Sequence, residues 1–355
     1  MSIIRVGIIG QGRSGRDIHG THLATLPGKF RIVAVADALE DRRQRAETEY
    51  GCESCATPAK LLARDDIDLV VNASPSRFHV PLTLAALKAG HHVLCEKPLA
   101  RKVGDVDKII TAAQRAGRTA AVFQNSRYAP AFQQILKVAA SGVLGRLINI
   151  RITVNGFSRR WDWQTMRKYH GGNLLNTGPH PLDQAMQLFG PDVMPEVTCI
   201  MDRTTSLGDA EDHVKILLHR RGHPTIDLEI SSCCAFPQDS FSVYATRGGL
   251  QASGNDVSWR YFKPREQSKR ILTEAPIENA AGLPEYCRDD LKWLERSWKP
   301  VGGKKSSVAQ FYDMLHRSLT TGAPLEVTLA QVRQQIAVIE ECHRQNPPAK
   351  MGQAG

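Results

Sequence analysis

The chain has 355 residues, 42% of them hydrophobic and 23% charged, which is the balance of a water-soluble globular protein of about two domains. Nowhere does it reach the roughly eighteen unbroken apolar residues of a membrane-spanning helix, which excludes a membrane partner. Its net charge of +10 divides into an equal excess of five over residues 1–125 and five over 126–355, so no basic arm marks it as a nucleic-acid binder and an anionic cofactor is an equally good use of the charge.

Met1 and Ser2 lead straight into an apolar strand at Arg5 to Ile9, so no secretion leader is read and a cytoplasmic location is expected. Further strands are predicted at Ile32 to Ala36, Leu69 to Ala73, His92 to Cys95 and Ala120 to Phe123. Helical patterns lie between them near Gly15 to Thr25, Glu40 to Tyr50, Pro58 to Ala63, Pro81 to Ala89 and Val106 to Ala116. Strands alternating with helices give a doubly wound parallel sheet over residues 1–125.

After Arg127 the pattern changes to one helix through about Ala140, a strand from Leu147 to Val154, and a polar, aromatic segment ending at Gly171 and Gly172. A helix from about Pro181 to Phe189 precedes strands at Glu196 to Met201, His213 to Leu218, Thr225 to Ser231, Ser240 to Thr246 and Val257 to Phe262. Short connections make these largely antiparallel. A last amphipathic helix, Leu329 to Arg344, starts at Thr328 as its cap, and a Pro- and Gly-rich tail from Asn346 follows. The expected fold is therefore α/β, with an N-terminal domain over 1–125, a C-terminal domain over 126–355 carrying an open, largely antiparallel sheet, and a close-packed hinge near residue 126. Among the eight cysteines, Cys52 and Cys55 stand three apart but no second pair follows at finger-like distance, so they read as reduced thiols and no metal is expected.

Gly10-Gln11-Gly12-Arg13-Ser14-Gly15 follows the first strand and opens the first helix, the context that a dinucleotide fingerprint requires. The first glycine permits the turn, the second lets the backbone approach a pyrophosphate, and the third brings helix and strand close. Free N–H groups at the helix start then face the phosphates. Asp37 ends the second strand, 22 residues beyond Gly15, where its carboxylate suits the two ribose hydroxyls and repels a 2′-phosphate. NAD is thus expected, with NADP possible through the neighbouring Arg42 and Arg43. Two further strand tips, Ala73-Ser74-Pro75-Ser76-Arg77-Phe78-His79 and Glu96-Lys97-Pro98, line the edge at which open α/β sheets bind ligands.

On these residues, together with Phe123 to Pro130, Gly142 to Gly145, Gly171 to Asp183 and Phe311 to Arg344, the chain resembles the Gfo/Idh/MocA oxidoreductases. The resemblance implies a Rossmann domain, a C-terminal domain whose open sheet serves a homodimer or homotetramer, and oxidation or reduction of a secondary alcohol on a sugar or related polyol. It assigns catalysis to Lys97 and His180, and cofactor contacts to Ser74, Pro75, His79, Glu96, Asn125 and Trp163. Substrate contacts fall on Lys97, Arg160, Trp161, Asn176, His180 and Asp183. In this reading His180 takes the hydroxyl proton while the Lys97 ammonium stabilises the developing alkoxide. Asn176 stands where many relatives carry an Asp, and an amide does not support an imidazolium as a carboxylate does. Asp183, three residues after His180, is a substitute if that segment is helical, and equally a structural carboxylate. Two other readings stay open: an NAD-dependent glycosidase that oxidises its substrate transiently, and a non-catalytic dinucleotide sensor.

Overall fold

The computed structural model describes residues 3–302 and 305–348. Met1, Ser2 and residues 349–355 of the Pro- and Gly-rich tail lie outside the described residues, so the readings made on them are not addressed.

Six strands form the first sheet: β1 (Ile4–Ile9), β2 (Phe30–Ala36), β3 (Glu53–Cys55), β4 (Leu69–Asn72), β5 (His92–Cys95) and β6 (Ala120–Val122). Their order is β3-β2-β1-β4-β5-β6 and every pairing is parallel. Helices on both faces bury β4 completely and β5 beyond His92, which is why both read as largely apolar runs instead of alternating ones. Strand order reverses between β1 and β4, both hydrogen-bonded neighbours from the sheet's middle, and the crevice outside that switch point is the ligand edge of such a sheet. The loops after β1, β4, β5 and β6 all leave from this edge.

The second sheet has eight strands: β7 (Leu147–Asn155), β8 (Glu196–Asp202), β9 (His213–His219), β10 (Thr225–Ser231), β11 (Phe241–Ala245), β12 (Gly248–Ser253), β13 (Asp256–Tyr261) and β14 (Leu294–Trp298). Their order is β14-β13-β12-β11-β7-β10-β9-β8. The β7–β10 pair is parallel and every other pairing is antiparallel. One face packs on helices, burying Val214, Ile216, Leu218, Ile226 and Leu228 completely. The other leaves Ile148, Ile200, Leu217 and Tyr244 exposed, the alternation of a half-covered sheet. The chain is thus a Rossmann-type α/β domain joined to a mostly antiparallel open sheet.

Apart from short helical turns, three strands and one long helix escape the sequence pattern. β3 is too short to show a period. β12 opens on Gly248-Gly249, which reads as a turn, yet a side chain at Gly248 would meet the Arg260 carbonyl oxygen at 2.0 Å, so the glycine serves close strand approach. β14 follows a long exposed segment. The helix Ser307–Thr321, capped by the Ser306 side chain on Ala309 N at 3.1 Å, was covered by no sequence element.

That helix and the last one, Leu329–Gln345, return to the first half of the chain. Phe311 packs edge-on to Phe123 and Tyr312 edge-on to Phe30, all of them buried. Arg333 pairs with Asp107 at 2.6 Å, and Glu340 accepts Val103 N at 2.8 Å where the helix Val103–Ala116 begins. Each fully buried aromatic contributes about 1.5–3 kcal/mol, so the join is an apolar seam with polar contacts at its rim. Among the described residues no helix is long and apolar enough to cross a membrane.

Candidate functional site

The fingerprint loop has the shape its glycines require. Gly10 sits at φ +90°, and a side chain there would strike the Ala73 carbonyl oxygen at 2.6 Å. At Gly15 a Cβ would lie 1.8 Å from the Gly10 carbonyl oxygen, so only glycine brings the helix this close to β1. Gly12 differs, because a Cβ there meets nothing nearer than the Arg42 guanidinium at 3.7 Å and would stand in open space above the loop. Ser14–Gly20 is wound as a π-helix before the chain becomes α-helical over Thr21–Ala24. Arg13 is exposed and Ser14 half-buried.

Asp37 is held at the end of β2. One carboxylate oxygen accepts Gln11 N at 2.7 Å, the other accepts Leu39 N at 3.0 Å, and Arg42 stands 3.6 Å away. Arg43 is committed to the carbonyl oxygens of Asp37 and Ala38, both at 3.0 Å. Gln11, 1% exposed, has both side-chain amide atoms buried without a partner. A glycine cradle, a fixed carboxylate and two orphaned polar atoms are the features that a bound dinucleotide would satisfy, so these residues fit one.

At the β4 tip Ser74 Oγ donates to Asn72 Oδ1 at 2.7 Å, and Pro75 is exposed. His79 is buried beneath, with Nδ1 at 2.7 Å from the Pro98 carbonyl and Nε2 at 2.9 Å from that of Ser74. Two acceptor-only partners require a proton on each nitrogen. Burial opposes that charge, but Cys95, the Pro98 carbonyl and Glu96 outweigh it and raise the ring to about 9. His79 therefore braces the β4 loop against the β5 loop, with both polar atoms used inside the protein.

The β5 tip carries Glu96 and Lys97, the latter joined to Pro98 by a cis bond. Glu96 is 5% exposed; its carboxylate meets His19 Nε2 at 3.2 Å and accepts Lys97 N at 3.0 Å, while His19 Nδ1 faces the Tyr312 hydroxyl at 2.7 Å. Burial presses this carboxyl upward, yet His19, then Lys97 and His79, hold it down at about 2. Lys97 Nζ donates to the Asn176 carbonyl at 2.5 Å. Its burial lowers it from the usual lysine value and the nearby Arg13 charge adds to this, with Glu96 opposing.

The partner block comes from the other half of the chain. Gly171 lies where a side chain would meet the Gln164 carbonyl at 2.3 Å, and Gly172, at φ +108°, where one would meet the Glu211 carboxylate at 2.2 Å. Buried Glu211 is pushed up to about 7 by desolvation, against hydrogen bonds from its surroundings that include Leu174 N at 3.2 Å. The chain then turns through the short helix Asn173–Asn176 into Pro179–Phe189, whose first turn carries His180. The His180 Nδ1 lies 3.0 Å from Gln124 Oε1. Burial, and secondarily the Lys97 charge, lower the imidazole to about 3 against the pull of Glu96, so it is neutral.

Two expectations need correction. The Asn176 side chain, expected at the substrate, is engaged within the protein: Nδ2 donates to the Gln164 carbonyl at 2.8 Å, and its own carbonyl receives Lys97. Asp183 is helical as supposed, but it is 5% exposed and forms a two-pronged ion pair with Arg127, Nε to Oδ2 at 2.9 Å. Burying that carboxylate demands a cation, and Arg127 occupies both oxygens, so Asp183 is neither the substitute partner of His180 nor a substrate contact.

Lys97, Asn176 and His180 are brought together. The aromatic segment stands further out: Trp161 is 76% exposed, Trp163 packs edge-on to Tyr169 with ring centroids 6.4 Å apart, and Arg160 bonds Asp162 and Gln164. Asn125 Nδ2 donates to Ser307 Oγ at 3.2 Å. Sequence reasoning missed Gln124, His19 and Gln335. Gln124 directly follows a strand tip, the position that singled out Lys97, and Gln335 is a polar residue on the otherwise apolar face formed by Val332, Ile336 and Ile339. His19 carries no such signal.

Residues 4–124 match the oxidoreductase family with an NAD-binding Rossmann fold, and residues 132–251 match the GFO/IDH/MocA C-terminal domain. D-glucoside 3-dehydrogenase of Escherichia coli strain K12 is 34% identical over 196 residues, 53% of this chain and 55% of that relative. The scyllo-inositol 2-dehydrogenase (NADP(+)) IolW of Bacillus subtilis strain 168 is 23% identical over 350 residues, 95% of this chain and 92% of the relative. The structure of GenD2 from gentamicin A biosynthesis in complex with NAD superposes with a TM-score of 0.77 at 22% identity, over 97% of this chain and 94% of that one.

Proposed function

The chain belongs to the Gfo/Idh/MocA family of NAD-binding oxidoreductases, and from that premise we propose that it oxidises or reduces a secondary alcohol of a sugar, glycoside or cyclitol, with residues 1–125 holding the cofactor and 126–355 carrying the substrate site. The observation that supports this most is the meeting of Lys97, from the β5 tip, with the segment of the other half that carries Asn176 and His180. When bound, the nicotinamide supplies the acceptor or donor of hydride. The protein's part is positional and electrostatic. Neutral His180 accepts the hydroxyl proton, and the Lys97 ammonium, desolvated and anchored on the Asn176 carbonyl, stabilises the oxygen as negative charge gathers on it. Glu96, His19 and Tyr312 hold Lys97 in register from below. Arg160 and Trp161 are the candidate contacts for a polyol's hydroxyls and ring faces, and Trp163 is a candidate cofactor contact. Gly10, Gly12, Arg13, Ser14, Gly15, Ser74, Pro75 and Asn125 are the candidate cofactor contacts.

Asp37 favours NAD. Its carboxylate is fixed by two backbone N–H groups and would meet a 2′-phosphate charge against charge. A panel of glucosides, other sugars and inositols, offered with NAD and separately with NADP and read at the reduced-nicotinamide absorbance, tests the proposal. Turnover with NAD on at least one member is the expected result. Turnover with NADP alone refutes the Asp37 argument, and tight cofactor binding without turnover on any member refutes the enzyme reading.

A further inference from the structure

His180 meets Gln124 through Nδ1, and the direction of that hydrogen bond decides what Nε2 does. On the reading of His180 as the base, we propose that Gln124 is a positioning residue: with Gln335 behind it, it holds the His180 ring in the Nδ1–H form and leaves Nε2 bare to accept the substrate proton.

The argument begins at a carbonyl. The Pro179 oxygen has no proton to give, so any group facing it donates. Gln335 Nε2 donates to it, and Gln124 Nε2 does so at 3.3 Å. With its nitrogen placed there, Gln335 turns Oε1 toward Gln124, whose Nε2 donates to it at 2.9 Å. Turning over the Gln124 amide would set its oxygen against two other oxygens, in a place where Gln124 is 1% and Gln335 3% exposed. Its orientation is therefore fixed, and Oε1 is left for His180 at 3.0 Å. An amide oxygen only accepts, so Nδ1 carries the hydrogen and Nε2 keeps its lone pair.

The polarity of this line runs from Pro179 through Gln335 and Gln124 to His180 without a titratable group, so pH does not reverse it. A carboxylate in the same place would fix the same tautomer and would also support an imidazolium. The amide line does only the first, and the Asn176 side chain makes its bond elsewhere, to the Gln164 carbonyl. Lys97 and Glu96 are the charged groups whose fields reach the ring.

The test is nitrogen NMR of the full chain labelled with ¹⁵N-histidine, the His180 resonances being identified by their loss in His180→Gln. Wild type is expected to show a neutral Nδ1–H ring. Gln124→Met is expected to shift the ring to the Nε2–H form and to lower kcat about 100-fold, with KM changed less than about threefold. The wild-type tautomer itself keeps the proposal testable if the Met variant does not fold. An Nε2–H ring in wild type, or an unchanged tautomer in Gln124→Met, overturns the proposal. Full turnover in His180→Ala overturns the base assignment beneath it, and that result is read independently of the tautomer.

Discussion

Gly12 and Gly15 stand three residues apart in one loop, but what their missing side chains would meet differs. At Gly15 a Cβ falls 1.8 Å from a backbone oxygen, whereas at Gly12 the nearest atom is the end of a flexible arginine at 3.7 Å. Gly12→Ala is therefore expected to fold with a melting temperature within about 2 °C of wild type, and to bind NAD at least about tenfold more weakly because the methyl occupies the phosphate approach. Gly15→Ala is expected to lose stability as well as binding. Thermal melts paired with a fluorescence titration of NAD separate the two. The glycine roles were legible from sequence because the turn geometry of the fingerprint is local. The partner of His180 was not, since Gln124 lies 56 residues away from it and Gln335, which orients Gln124, lies 211 residues beyond Gln124, so the three come together only in the folded chain. Residue chemistry also sets the pH range of activity. His180 is lowered to about 3, so its basic form persists down to that pH, and Lys97 loses its proton below the ordinary lysine value of 10.5. The acid limb of kcat/KM is expected well below 6, with no inflection near the usual histidine value of about 6.5, and the alkaline limb below 10.5. A pH–rate profile with an acid limb at 6 to 7 would remove His180 as its origin.

At the scale of elements, buried charges join pieces that sequence periodicity treats as separate. Arg127 leaves the short helix Asn125–Tyr128 and binds Asp183 on Pro179–Phe189, the Glu326 carbonyl at 2.8 Å and Gln331 Oε1 at 2.7 Å. Asp183→Asn strands that guanidinium and is expected to cost about 3–5 kcal/mol in urea unfolding, while the folded protein retains NAD binding. Glu211 gives a prediction of known sign. Its carboxyl is raised from 4.5 to about 7, so at intermediate pH the folded chain keeps a proton that the unfolded chain releases. Its contribution to stability is full below about 4.5 and is lost as pH rises through 7. Glu211→Gln is therefore expected to be near neutral at acid pH and to stabilise the protein by about 1–3 kcal/mol above pH 8; equal effects at both ends would show that folding does not raise the Glu211 carboxyl. Most strands and helices were legible from their periods, and Thr328 was recognised as a cap that the structure completes into a capping box with Gln331. What stayed hidden has physical reasons. β12 opens on glycines kept for close approach, β3 is three residues long, and Asp183 looked available because its cation lies 56 residues earlier.

Across the whole molecule, the last two helices return to the first half of the chain. The helix Ser307–Thr321 lays Phe311, Tyr312 and His316 over Phe123 and Phe30 and brings Tyr312 to His19, and Leu329–Gln345 adds Arg333 on Asp107 and Glu340 on Val103 N. Division at residue 126 thus separates sheets, but it does not separate cores. Residues 1–125 alone are expected to bind a hydrophobic dye and to lack near-ultraviolet ellipticity, whereas a mixture with 126–355 recovers both; a cooperative melt of the isolated first part would contradict this. The same seam supports the β5 tip from beneath, which ties the last helices to Lys97 through Tyr312, His19 and Glu96. The central claim is that Lys97 and His180, supplied by the two halves, carry out the alcohol chemistry together. It is tested most directly by steady-state turnover of Lys97→Ala and His180→Ala with NAD and the best alcohol of the panel, after confirming that each variant still binds NAD. A fall in kcat of about 100-fold to 10,000-fold in each variant is expected, and wild-type turnover in either would contradict the account.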